Sequence, residues 1–290
     1  MGIKNLLVVV DSSEASANRV EVAASLAADH AAHLVGLYIL PLLEPDPARP
    51  DPLIDKLVTA YIREDQDLAL AARLRFDAAT DRHGIKGEWR SAGGFPSEEA
   101  AIHARYADLT IVGQINPSLK RTVIPPLIPE EVAFAAGTPI LVTPFSWTPS
   151  RIGSRVLVAW NARREAARAV RDALPILCKA TSVTVLVVNP EKWAISPHGE
   201  QPGADIALYL ARHGVTVQVE VAESDDAKVC DVVRASVLYL RQPGFSGSQA
   251  KNISYSTDHR QKIFRTLPRM AWGVQRPAFP GLSPPDLARL

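Results

Sequence analysis

At 290 residues, 47% of them hydrophobic, the chain is long enough for two domains of ordinary size or one large one, with material for real cores. Aromatics make up only 6%, so those cores are expected to be built from Ala, Val, Leu and Ile. A formal charge of +1 excludes whole-surface attraction to nucleic acid or acidic lipid, yet the charge is unevenly spread: residues 231–290 carry nine Lys/Arg against three Asp, a local +6, leaving −5 for the rest.

Cys178 and Cys230 have no metal-like spacing, and the expectation is two reduced thiols of a cytoplasmic protein. No stretch approaches the ~20 apolar residues that span a bilayer. The first ten residues hold one Lys and an apolar run that stops at Asp11, too short for a signal-peptide core.

Leu6-Leu7-Val8-Val9-Val10 is an unbroken apolar run, as expected of a strand buried on both faces inside a parallel sheet. It ends on Asp11-Ser12-Ser13, and a helical pattern follows at once to residue 32, with Val20, Ala23, Ala24 and Ala27 on one face. Ser12 or Ser13 can cap that helix by accepting from its first free amides. Residues 34–40 predict a second strand. Five prolines between 41 and 52 predict a loop. Residues 53–83 predict a long charged helix closed by Gly84, and residues 86–91 a short strand around Trp89. Pro96 with Glu98 and Glu99 opens the next helix. A strand over 109–112 ends in Gly113-Gln114, a helix covers 130–136, Gly137 ends it, and residues 140–142 form a last strand. Alternation through five strands specifies a doubly wound parallel sheet over residues 1–145.

Residues 146–154 read as a linker, after which the pattern returns. Arg155-Val156-Leu157-Val158-Ala159-Trp160-Asn161 repeats the first strand, Asn161 standing where Asp11 stood; helix, strand and a His213-Gly214 stop follow in the same order as before. The expected architecture is two tandem doubly wound α/β domains with five-stranded parallel sheets, the second (155–243) incomplete or atypical at its C-terminus. A fourth strand is expected over 237–240. Residues 244–290 repeat nothing in the first half and are expected to be an atypical basic tail, disordered or altered.

These pieces together resemble the universal stress protein (UspA-like) family in its tandem, two-domain bacterial form. The residues that carry the resemblance are Leu6 through Ser16, then Tyr106-Ala107-Asp108-Leu109-Thr110-Ile111-Val112-Gly113, then Gly137-Thr138-Pro139-Ile140-Leu141-Val142, and in the second half 156–161 and 165–170. The resemblance implies frequent dimerisation and a cytoplasmic role in stress response, and the expectation here is a non-enzymatic protein acting by dimerisation or contact with a protein partner. Some members bind ATP, through an aspartate after strand one and a loop Gly-x2-Gly-x9-Gly-Ser/Thr after strand four. Asp11 fits that aspartate and Gly113 the first glycine, but Asn116-Pro117 falls at the second, and no glycine follows before Pro129. In the second half Asn161 replaces the acid, and Thr257 falls at the third glycine. Triphosphate recognition is therefore not expected, and no cofactor is assigned. The alternative is an adenine-nucleotide-binding (ATP/AMP) module with weak or no hydrolysis, its crevice lined by Asp11, Ser12, Ser13, Gly113 and Gln114.

No nucleophile elbow, Gly-Lys-Ser/Thr phosphate loop or His-Glu-x-x-His is present. His30 and His33 have metal-like spacing but no third ligand nearby. Arg163, Arg164 and Arg168 read as solvated surface. Contact with nucleic acid is expected only through the basic tail, and no membrane contact is expected.

Overall fold

The computed structural model describes residues 2–41, 51–116, 126–146, 152–188, 201–222 and 238–240. The central strand is β1 (Asn5–Val10), with all its residues after Asn5 buried. It is flanked by β2 (His33–Pro41) and β4 (Leu109–Gly113), both parallel to it. With β3 (Gly87–Gly94) and β5 (Ile140–Thr143) the sheet order is β3-β2-β1-β4-β5, parallel throughout. The five-stranded parallel sheet expected for the first half is present. Strand order reverses between β1 and β4, so the carboxyl ends of those two strands border the crevice where ligands sit in open α/β sheets.

Helices on both faces explain the unbroken apolar run. Leu6, Val8 and Val10 belong to one core, with Val20, Ala23 and Ala24 of α1 (Glu14–His30) and Ala72 and Phe76 of α2 (Pro52–His83). Leu7 and Val9 point the other way, into a core with Ala100, Ala101 and Ala104 of α3 (Pro96–Ala104) and Val132 of α4 (Pro129–Ala136). The predominance of Ala on α1 and α3 lets these helices lie close to the sheet. The larger α2 side chain needs room made for it. An added Cβ at Gly36 or Gly87 would lie 2.8 Å from the Phe76 ring, so two glycines on neighbouring strands form the slot that Phe76 fills.

Local signals account for the helix ends. Asp51 accepts from the Leu53 amide at the start of α2, Pro52 takes the first turn, and Gly84 closes the helix in the left-handed region at φ 63°.

In the second half, β6 (Arg155–Ala159), α5 (Arg164–Leu177), β7 (Ser182–Val188), α6 (Ala204–Arg212) and β8 (Val217–Ala222) follow the succession of β1 to β3. They give the partial order β8-β7-β6, matching β3-β2-β1. The fourth strand, β9 (Leu238–Leu240), lies where expected in sequence and beside β6, but it runs antiparallel. As far as the described residues show it, the second sheet has four strands, as an incomplete second unit would, and the antiparallel direction of β9 is a correction to the parallel sheet expected. An apolar run marks a strand without fixing its direction, which depends on the path of the preceding connection.

One face of this sheet carries a core of Val156, Val158, Val183 and Val185 against Val170 and Leu177 of α5 and Ile206 and Leu210 of α6. On the other face the described residues form only a small cluster, Ala159 and Val188 with Leu186 at its edge. Both sheets lie in one compact unit, Met1–Phe245; the other unit, Ser246–Leu290, and hence nearly all of the tail, lies outside the described residues. Most of the linker, residues 147–151, lies outside them too. Within the larger unit, Ile176 of α5 packs against the β1–α1–α2 core, Arg168 donates to the Gly137 carbonyl and Lys179 to the Asp29 carbonyl.

Candidate functional site

The site expected from sequence is the start of α1 and the end of β4. At the former, three short-range bonds close a ring. The Asp11 Oδ1 accepts from the Ser13 amide at 2.8 Å, the Ser13 Oγ accepts from the Ser16 amide at 3.1 Å, and the Ser16 Oγ accepts from the Asp11 amide at 2.9 Å. Of these amides that of Ser16 belongs to the first turn of α1 and is capped by the Ser13 side chain, while the other two bonds fix the turn that leads into the helix. Ser12 is exposed and takes no part in the ring.

The remaining Asp11 oxygen, Oδ2, accepts from Arg19 Nη2 at 2.6 Å. Arg19 stands on the second turn of α1 and is only 3% exposed. Its Nε donates to the Val9 carbonyl at 2.8 Å, tying the guanidinium to the end of β1. Gly113, at the end of β4, faces it directly: a Cβ there would fall 2.1 Å from Arg19 Nη1. The guanidinium therefore spans the gap between β1 and β4 and uses the space a side chain at 113 would need. Gln114 is committed through its backbone, donating its amide to the Thr143 carbonyl at 2.8 Å and so prolonging the β4–β5 ladder. The segment 117–125, where a phosphate loop would continue, lies outside the described residues.

Burial by itself raises the Asp11 pKa, but the Arg19 charge and the Ser13 bonds outweigh it and hold the carboxyl below its ordinary 3.8. A second carboxylate, Asp65 of α2, lies against β2. Tyr38, on β2, donates to Asp65 Oδ1 at 3.0 Å, while Asp65 Oδ2 is buried without a hydrogen-bond partner. Burial pushes the Asp65 pKa up, Glu64 adds to this, and the Tyr38 bond offsets it in part. Tyr38 is held protonated by burial and then by Asp65.

The structure thus places Asp11 and Gly113 on either side of one guanidinium, leaves Ser12 at the surface, and gives Ser13 and Gln114 backbone-supporting roles. Arg19 is the residue the sequence reading missed. A signal for it exists in the internal repeat. At the offset that pairs Asp11 with Asn161, Arg19 pairs with Ala169, so acid and base are absent together from the second half. Asn161 keeps the turn without the charge, its Oδ1 accepting from the Arg163 amide at 3.1 Å. The Asp11 charge accordingly answers Arg19, and the turn needs only the oxygen.

Among the described residues no group of three or more His, Cys, Asp or Glu is arranged to hold a metal ion. His33 faces Glu88 and His83 faces Glu21, each at 3.2 Å. No helix among the described residues is long and apolar enough to cross a membrane.

Among solved structures, the chain is similar to a universal stress protein from Archaeoglobus fulgidus DSM 4304, at 17% identity and TM-score 0.60, covering 79% of this chain and 80% of that one. It is also similar to the universal stress protein UspA from Lactobacillus plantarum, at 24% identity and TM-score 0.39, covering 49% and 98% of the two chains. A third is a universal stress protein from Archaeoglobus fulgidus in complex with dAMP, at 18% identity and TM-score 0.34, covering 49% and 98%. No curated protein matches. Residues 2–144 match the Universal stress protein family, and with the parallel sheet ordered β3-β2-β1-β4-β5 this amino-terminal half is a universal stress protein family domain.

Proposed function

We propose that the protein is a non-enzymatic, cytoplasmic stress-response module of the tandem universal stress type, acting through dimerisation or contact with a protein partner. The observation that supports this reading is the Arg19 guanidinium between β1 and β4: it engages one of the two Asp11 carboxylate oxygens and lies against Gly113. A crevice already bridged by its own charge pair gives an adenine nucleotide no free acceptor on the Oδ2 side. The other oxygen, Oδ1, accepts from the Ser13 amide.

A second reading, adenine-nucleotide binding, is favoured by one specific observation. The Asp11 side chain is half-exposed, so its outer edge remains reachable. Titration calorimetry of the full chain with AMP and with ATP separates the two. The expected result is no saturable heat up to about 1 mM nucleotide, a limit near 4 kcal/mol of binding free energy. Micromolar affinity in the wild type that disappears in Asp11→Ala would establish the nucleotide-binding reading instead.

A further inference from the structure

We infer that the contact between the two halves is an acid-sensitive latch, in which Lys179 of α5 caps the last turn of α1 and protonation of His30 on that turn displaces it. The device goes beyond the functional reading above and is independent of whether a partner or a nucleotide binds at the crevice.

α5 is packed on two sides. Val170, Ala173 and Leu177 face the core of the second sheet. Arg168, Asp172, Ile176 and Lys179 recur at the four- and three-residue spacing of the opposite side. That side meets the first half. Ile176 packs against the β1–α1–α2 core. Gly153, in the left-handed region at φ 82°, leaves it room, since an added Cβ there would lie 3.0 Å from Ile176 Cγ2. Arg168, paired with Asp172 at 3.6 Å, donates to the Gly137 carbonyl, and Lys179 donates to the Asp29 carbonyl. Gly137 closes α4 and Asp29 lies in the last turn of α1, so each cation meets the negative end of a helix dipole. Both cations are exposed, so each contact is weak and a single added charge beside it shifts the balance.

His30 is where that charge arises. It follows Asp29 at the end of α1 and is half-buried. Burial, and then the Lys179 charge, hold its pKa below the ordinary 6.5, with Asp29 opposing both. Among the described residues the charged groups acting on the imidazole are thus Asp29 from α1 itself and Lys179 from α5. His33, at the start of β2, faces Glu88 instead, so acid strengthens that pair. With Lys179 withdrawn, the imidazolium escapes the repulsion and itself supplies the cation that the helix end favours. The undocked state therefore binds the proton more tightly than the docked state. Docking is fully favoured above 6.5 and weakens as pH falls through 6.5 toward the lower docked-state value, by at most about tenfold per pH unit because one proton is linked.

Hydrogen–deuterium exchange of the full chain at about pH 7.5 and about pH 5.5, corrected for the intrinsic rate at each pH, tests the latch. In wild type, peptides from the last turn of α1 and from α5 are expected to lose protection at least about fivefold at the lower pH, while β1 and β4 keep theirs. His30→Gln, neutral and polar, should stay protected at both pH values. Lys179→Met, which keeps the aliphatic stem, should be less protected than wild type at both. An NMR titration gives a second readout: the His30 midpoint should lie below 6.5 in wild type and rise toward it in Lys179→Met. Wild-type protection that ignores pH would overturn the proposal, as would a pH response that survives in His30→Gln or a His30 midpoint that Lys179→Met leaves unchanged. Protection lost equally from β1 and β4 would mean acid unfolding of the whole molecule, which also overturns it. Saturable nucleotide binding in a protein whose latch responds as expected would defeat the functional reading alone.

Discussion

Gly113 illustrates how a residue can match a family pattern for a different physical reason. In a phosphate loop a glycine admits an anion to the backbone; here it admits a guanidinium from the protein's own α1. The two explanations make different predictions. Gly113→Ala should destabilise by about 1–3 kcal/mol through overpacking. In an Arg19→Ala background the same change should cost less by at least about 1 kcal/mol, since the clashing group is gone. A urea-denaturation double-mutant cycle measures this coupling, and equal costs in both backgrounds would contradict the packing explanation. Arg19 could not be read from α1 alone, because a lone arginine among alanines usually points to water. The contact that buries it comes from β4, nearly a hundred residues later.

The first turn of α1 shows how much an element's start can reveal. Asp, Ser and Ser before an alanine-rich helix announce a capped N-terminus, and the bonds among Asp11, Ser13 and Ser16 are of that kind. The same turn predicts a pH dependence. The folded-state pKa of Asp11 is depressed, so its contribution to stability is present above the unfolded value near 3.8 and is lost as pH falls through the folded value. Asp11→Asn keeps the turn oxygen, as Asn161 does, but removes the charge. The stability gap between wild type and this variant, from urea midpoints, should therefore shrink as pH drops from about 5 toward 2. A gap independent of pH would show that the Arg19 pair contributes nothing through charge. Asp65 acts with the opposite sign, its raised pKa reducing stability as pH rises above 3.8, so the total acid profile mixes two opposing carboxylates that the Asn variant separates. For α2, periodicity located the helix but not its inner side. Gly36 and Gly87 fix that side, because they leave the slot that Phe76 fills.

Across the whole molecule the two sheets differ in how well they are covered. Helices bury both faces of the first; in the second, the described residues build a full core on one face only. Local stability follows buried apolar contact, so amides of β6, β7 and β8 should exchange at least tenfold faster with deuterium than those of β1, β2 and β4. Equal protection in a native-state exchange experiment would mean that the second sheet's other face is covered as well as the first's.

What the sequence by itself determined is what near neighbours carry: strand, turn and helix order, the capped start of α1, the Gly84 stop, the five strands of the first half and the partial return of the same units after residue 154. These follow from apolar periodicity and backbone preference, which act over a few residues. Only the tertiary structure decided that Arg19 bridges the crevice, that Phe76 rather than the exposed leucines anchors α2, and that β9 runs against β6. Each of these depends on a contact between segments distant in the chain, where the deciding quantity is the space and charge left by the other partner, and no local pattern carries that quantity.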